Sequence, residues 1–141
     1  MRNTLAALAA ALAMSLVVAL PAMAQTYVQL GVPFGMRLGG EVEIEGQGMV
    51  VRLTDIVEDS RCPIDVMCVW AGRVVVALEV TSANPPGGAQ TEEVTVDTLD
   101  QTATVRGVVF SLLQVKPSRR SADAPNPDDL GFLLRADIIS P

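Results

Sequence analysis

Glu41-Val42-Glu43-Ile44-Glu45-Gly46-Gln47-Gly48-Met49-Val50-Val51-Arg52-Leu53 is the stretch whose reading decides the fold. Glutamates alternate with Val42 and Ile44, the period of two that puts every second side chain on one face of a strand. Gly46-Gln47-Gly48 then reads as a hairpin turn. Met49 to Val57 resumes as a second strand with Val51 and Leu53 inward, and its phase slips near Asp55-Ile56-Val57, which predicts a β-bulge. Downstream, Arg73 to Val80 alternates again and places Val74, Val76, Leu78 and Val80 on one face. Asn84-Pro85-Pro86-Gly87-Gly88 is the strongest breaker and is expected to be an exposed hairpin loop. Glu92 to Asp97 alternates through Val94 and Val96, and Val105 to Val115 is apolar on both faces, as a central strand would be. Pro117 to Asp129 is expected to be a long polar loop, and Gly131 to Ile139 a final strand with Phe132, Leu134, Ala136 and Ile138 on one side. No stretch carries a sustained helical stripe. Short strands at this spacing predict an all-β fold, an antiparallel β-sandwich or a small barrel.

The chain has 141 residues, ten Lys and Arg against sixteen Asp and Glu, and no histidine. Arg2, the apolar run Leu5 to Leu20 and the small-residue pattern Ala22-Met23-Ala24 read as a secretory signal peptide over residues 1–24, cut before Gln25. Cleavage leaves 117 residues, nine cations against sixteen acids, and a net charge of −7. That is enough for one β-domain over residues 25–141 with one modest core. With Lys116 the single lysine and no basic cluster, nucleic acid is a poor partner. A chain without histidine has no Ser–His or Cys–His catalysis and no ordinary zinc site. No second long apolar run follows, so no membrane span is expected in the mature chain.

Cys62 and Cys68 are the only cysteines. In an exported chain they are expected to form a disulfide. The bridge closes a loop of Pro63, Ile64, Asp65, Val66 and Met67, for which loop-closure entropy gives only about 2–3 kcal/mol. Its work is therefore local, fixing the shape of one loop. The C-x5-C spacing is not that of a redox motif.

The densest run of unusual residues is Glu58 to Gly72. Within it, Asp59-Ser60-Arg61-Cys62-Pro63 followed by Cys68-Val69-Trp70-Ala71-Gly72 resembles the signature of a family of small secreted bacterial proteins and lipoproteins. Leu113-Gln114-Val115-Lys116-Pro117 and the loop and strand after it are similar to that family's closing half, so the resemblance spans about residues 30–140. It implies a β-rich exported domain and no established activity. The chain departs from the lipoprotein members in having no cysteine to acylate near the cleavage point.

Read from the residues, Asp59 and Ser60 are turn formers. Arg61 offers a planar fork to Asp59, Asp65 or main-chain carbonyls, or a charge to a partner. Trp70, as the one large indole, is expected to cover the disulfide and the end of the core. Gly72 relieves crowding where the chain passes the loop. Asp55, Glu58, Asp59 and Asp65 are carboxylates of the type that hold calcium or work in pairs on glycosides, but their spacing fits no EF-hand and nothing fixes a catalytic pair. Asp123, Asp128 and Asp129 read as a solvated loop. Met36, Met49 and Met67 are too scattered for a copper site.

These readings predict a non-enzymatic periplasmic or secreted module without a cofactor or metal. It presents a disulfide-fixed binding loop of Asp59, Arg61, Ile64, Asp65, Met67 and Trp70 to an envelope protein, a peptide or a glycan. The rival expectations are a protease inhibitor acting through residues 60–68, with Arg61 or Pro63-Ile64 as the reactive segment, and a purely structural envelope protein.

Overall fold

A computed structural model describes residues 25–83, 86–123 and 126–139. The expected signal peptide lies outside the described residues, as do Asn84 and Pro85 of the expected hairpin loop.

Among the described residues nine strands run in chain order: β1 Tyr27–Val28, β2 Phe34–Arg37, β3 Glu41–Ile44, β4 Met49–Asp59, β5 Val74–Ser82, β6 Gln90–Asp97, β7 Ala103–Val105, β8 Val108–Lys116 and β9 Gly131–Ile138. They form two sheets, β1-β3-β4-β5-β6 and β2-β9-β8-β7. All pairings are antiparallel except β1 on β3. Of the two expected architectures the fold is the sandwich, its apolar core formed by the inward faces of both sheets. Val42, Ile44, Val51 and Leu53 from the deciding hairpin are all buried in it. So are Val74, Val76, Leu78 and Val80 of β5. The predicted slip in β4 is present as two register shifts, between Leu53 and Asp55 and between Ile56 and Glu58.

Three expectations are corrected. The apolar run Val105 to Val115 is not one strand. Arg106 (φ 48°) and Gly107 (φ 81°) both take left-handed backbone and turn β7 into β8 as a two-residue hairpin. The run looked continuous because residues on both sides of the turn are apolar. Leu113 falls on a bulge between Leu112 and Gln114, which leaves it on the solvent side. Ile138 is 54% exposed despite its phase, because β9 ends there beyond the edge of the core.

Burial sorts the expected effect of mutation. Phe110→Ala removes a ring with no exposure and should cost about 3–5 kcal/mol, while Leu113→Ala on the bulge should cost less than about 1 kcal/mol. Urea unfolding followed by far-UV circular dichroism checks both.

Candidate functional site

The β4–β5 hairpin does not stop where its strands end. Ser60 N–H donates to the Arg73 carbonyl at 2.8 Å and Cys62 N–H to the Ala71 carbonyl at 3.0 Å. This ladder carries residues 62–71 past the end of the sandwich as a projecting tip. The Cys62–Cys68 disulfide closes the tip, with the Cα atoms 5.9 Å apart. Gly72 makes the approach possible. Its φ is 69°, and a Cβ there would lie 1.8 Å from the Ser60 carbonyl oxygen.

Arg61 holds the base of the tip. Its Nε and Nη2 donate to the two Asp59 carboxylate oxygens at 2.8 and 2.7 Å, and its Nη1 donates to the carbonyls of Pro117 at 2.9 Å and Val115 at 3.2 Å. The fork thus joins the end of β4 in one sheet to the end of β8 in the other. Its side chain is only 15% exposed. This hydrogen-bonded pairing is the main cause holding the Asp59 carboxyl below its ordinary value, and it outweighs the opposing push of burial.

The tip is docked from the side as well. Ile64 N–H donates to the Arg119 carbonyl at 2.9 Å, and Asp65 accepts from the Ser121 N–H at 2.8 Å and its hydroxyl at 2.6 Å. The bonds from Ser121 hold the Asp65 carboxyl below its ordinary value. On the opposite flank, Glu58 accepts from the Ser60 hydroxyl at 2.6 Å and from Arg73 Nε at 3.1 Å. Arg73 Nη1 reaches Asp97 at 3.2 Å. Asp97 is buried, and its Oδ1 gathers the N–H groups of Leu99, Asp100 and Gln101 at 2.8–3.0 Å. Burial pushes its carboxyl up, but those N–H donors and the Arg73 charge prevail and hold it below its ordinary value.

With the charges drawn inward, the tip shows solvent an apolar surface. Met67 is 99% exposed, Val69 91% and Trp70 82%, with Ile64 and Val66 exposed beside them. The expected role of Trp70 as a cover for the core is overturned: the ladder carries it beyond the end of the sandwich, where it stands exposed. It lines instead a shallow space of about 490 Å³ with Glu58, Ser60, Arg73 and the exposed Leu99.

The six predicted loop residues therefore divide. Asp59 and Arg61 are spent on each other and on the second sheet, and Asp65 is spent on Ser121. Ile64, Met67 and Trp70 face outward. Sequence reasoning missed Val69, whose apolar neighbours Met67 and Trp70 were the available signal. It also missed Leu99, Ser121, Asp97 and Arg73, whose partners lie far along the chain. Among the described residues no three acids, cysteines or histidines gather as a group that could hold a metal ion.

Compared with protein-family models, characterised proteins and solved structures, the chain matches none.

Two outcomes follow. Gly72→Ala strains the backbone and drives a methyl into Ser60, so it should lower stability by at least about 2 kcal/mol and loosen the tip, measurable as faster amide exchange at Cys62. The carboxyls of Asp59 and Asp97 titrate lower folded than unfolded, so they stabilise above the ordinary carboxylate value of 3.8. That stabilisation disappears as pH falls through the folded values. Thermal melting of the wild type should fall steeply below about pH 4, and Asp97→Asn should flatten that fall while lowering the melting temperature at neutral pH.

Proposed function

We propose that this is a non-enzymatic interaction module of an exported compartment, and that the disulfide-closed tip is its contact surface. One observation carries the reading: five consecutive-neighbourhood apolar residues, Ile64, Val66, Met67, Val69 and Trp70, stand in solvent on a loop fixed by a covalent bridge, the Arg61 fork and the Asp65–Ser121 bonds. A rigid apolar surface loses little entropy on binding, and Trp and Met are residue types enriched at interface centres. The partner belongs to the envelope proteins, peptides or glycans of that compartment. The disulfide fits an oxidising compartment, and export through residues 1–24 supplies the route to the periplasm or medium. Among the described residues no helix is long and apolar enough to cross a membrane. Membership of the secreted family carrying the Asp-Ser-Arg-Cys-Pro and Cys-Val-Trp-Ala-Gly signature belongs to the same proposal.

The burial of Arg61 weighs against its use as the specificity residue of a protease inhibitor, which must project freely into the protease. A purely structural role leaves the cluster of exposed apolar groups on the tip without a purpose, since single exposed apolar residues are ordinary and a contiguous group is not.

A photo-crosslinking amino acid placed at position 67 or 69 in cells should give a discrete adduct, and one placed at Glu92 on the distant edge strand should not. Reducing the disulfide or introducing Met67→Asp with Val69→Asp should remove the adduct formed from position 64, while the double substitution changes stability by no more than about 0.5 kcal/mol. Equal labelling from positions 67, 69 and 92 would overturn the proposal.

A further inference from the structure

The outer face of the four-stranded sheet carries a trough of about 440 Å³ that the tip does not share. Two rows of residues across β2, β9 and β8 make it. The first is Arg37, Gly131, Lys116; the second is Gly35, Leu133, Gln114. The bulge at Leu113 is what brings Gln114 opposite Leu133.

The two glycines are the informative residues. Neither lies in the left-handed region. A Cβ on Gly35 would meet nothing within 4 Å, and on Gly131 the nearest atom is the Lys116 carbonyl oxygen at 4.0 Å. Neither backbone conformation nor crowding calls for glycine at these outward strand positions, where it weakens the strand. What the two absent side chains do create is open space above the sheet; a strand glycine marks a bulge, a bend or the close approach of a ligand or another backbone, and no register shift falls at Gly35 in β2 or at Gly131, where β9 begins.

Charge gives that space a sign. Arg37 and Lys116 flank Gly131 on the neighbouring strands, about 10 Å apart at the backbone by the spacing of two strand intervals. Both side chains are long enough to meet above the glycine. Among the described residues neither forms an ion pair, and Arg37 makes one side-chain bond, to the Asp128 carbonyl at 3.3 Å. Arg135, the third cation on this face, is already neutralised by Asp137 at 2.7 Å. Two uncompensated cations at one end of a floor made by Leu133 and bare glycine backbone suit a ligand with a negative head and an apolar body.

We infer that this trough binds a small carboxylate amphiphile, with the carboxylate held between Arg37 and Lys116 above Gly131 and the hydrocarbon tail lying on Leu133 over Gly35. The inference is independent of the role proposed for the tip.

The full mature chain, labelled with nitrogen-15, is titrated with decanoate below its micelle concentration, and with acetate and decanol as separated halves of the ligand. Saturable shifts confined to the amides of Gly35, Gly131 and Leu133 are expected with decanoate, and at least tenfold weaker binding of acetate and decanol. Gly35→Leu fills the trough without strain and should weaken decanoate binding at least tenfold with both cations intact. Arg37→Gln with Lys116→Gln, two exposed positions, should weaken decanoate to the level of decanol and leave decanol unchanged. The inference fails if decanoate moves no trough amide at millimolar concentration. It fails equally if acetate or decanol binds as well as decanoate, or if the double substitution leaves decanoate binding intact.

Discussion

The guanidinium of Arg61 joins the two sheets at the end of the sandwich from which the tip leaves. Two of its nitrogens take both oxygens of Asp59 at the end of β4, and the third takes carbonyls at the end of β8 and just beyond it. A planar fork with fixed angles can do this and a lysine cannot, because an ammonium has no preferred plane in which to hold a carboxylate and two carbonyls together. The rest of the site hangs on that bond set. It fixes Ser60 and Cys62, which pair with Arg73 and Ala71, and so sets the direction in which the tip leaves the body. The disulfide acts only on the last few residues, over too short a loop to supply much of the stability of the fold.

The parts of this structure written in short-range chemistry were legible in the sequence. The Glu41 to Leu53 hairpin follows from alternation and two glycines, the slip in β4 from a break in that alternation, the bridge from the presence of just two cysteines close together in the chain. The need for Gly72 follows from the closeness of Ser60 across a closed loop. What stayed hidden was decided at a distance. Arg61 had several acids within reach in sequence, and the carbonyls that complete its shell lie 54 and 56 residues away. Ser121 stands 56 residues from Asp65. Asp97 looks like the end of an ordinary strand until the backbone beyond it curls round its carboxylate. Arg106-Gly107 was masked by apolar neighbours on both sides.

Trp70 failed for a different reason. Burial was expected from its size, since large aromatic groups usually contribute most to a core. Size describes the gain available if a residue is buried, and says nothing about whether the backbone brings it to the core. Here the ladder between residues 60–62 and 71–73 continues outward, and the core is already filled by Phe110, Phe132 and the β-branched residues of β4 and β5. A small sandwich can spare its only tryptophan because its strands are rich enough in valine and leucine to close without it.

Leaving so many apolar groups in water costs the folded state little, because the unfolded chain exposes them too and the difference between the two states is what stability measures. The risk is association with the wrong partner. One feature of the molecule opposes it. The outward faces of β3, β5 and β6 at the far end carry Glu41, Glu43, Glu79 and Glu93, and with a net charge of −6 two copies of the chain repel one another at long range. That repulsion is screened beyond roughly 8–10 Å at ordinary ionic strength, so it slows random encounters without preventing a complementary surface from closing on the tip. A small domain can therefore hold a sticky loop in a fixed shape and remain dispersed, provided the loop is small, rigid and set at the end away from its own acidic face.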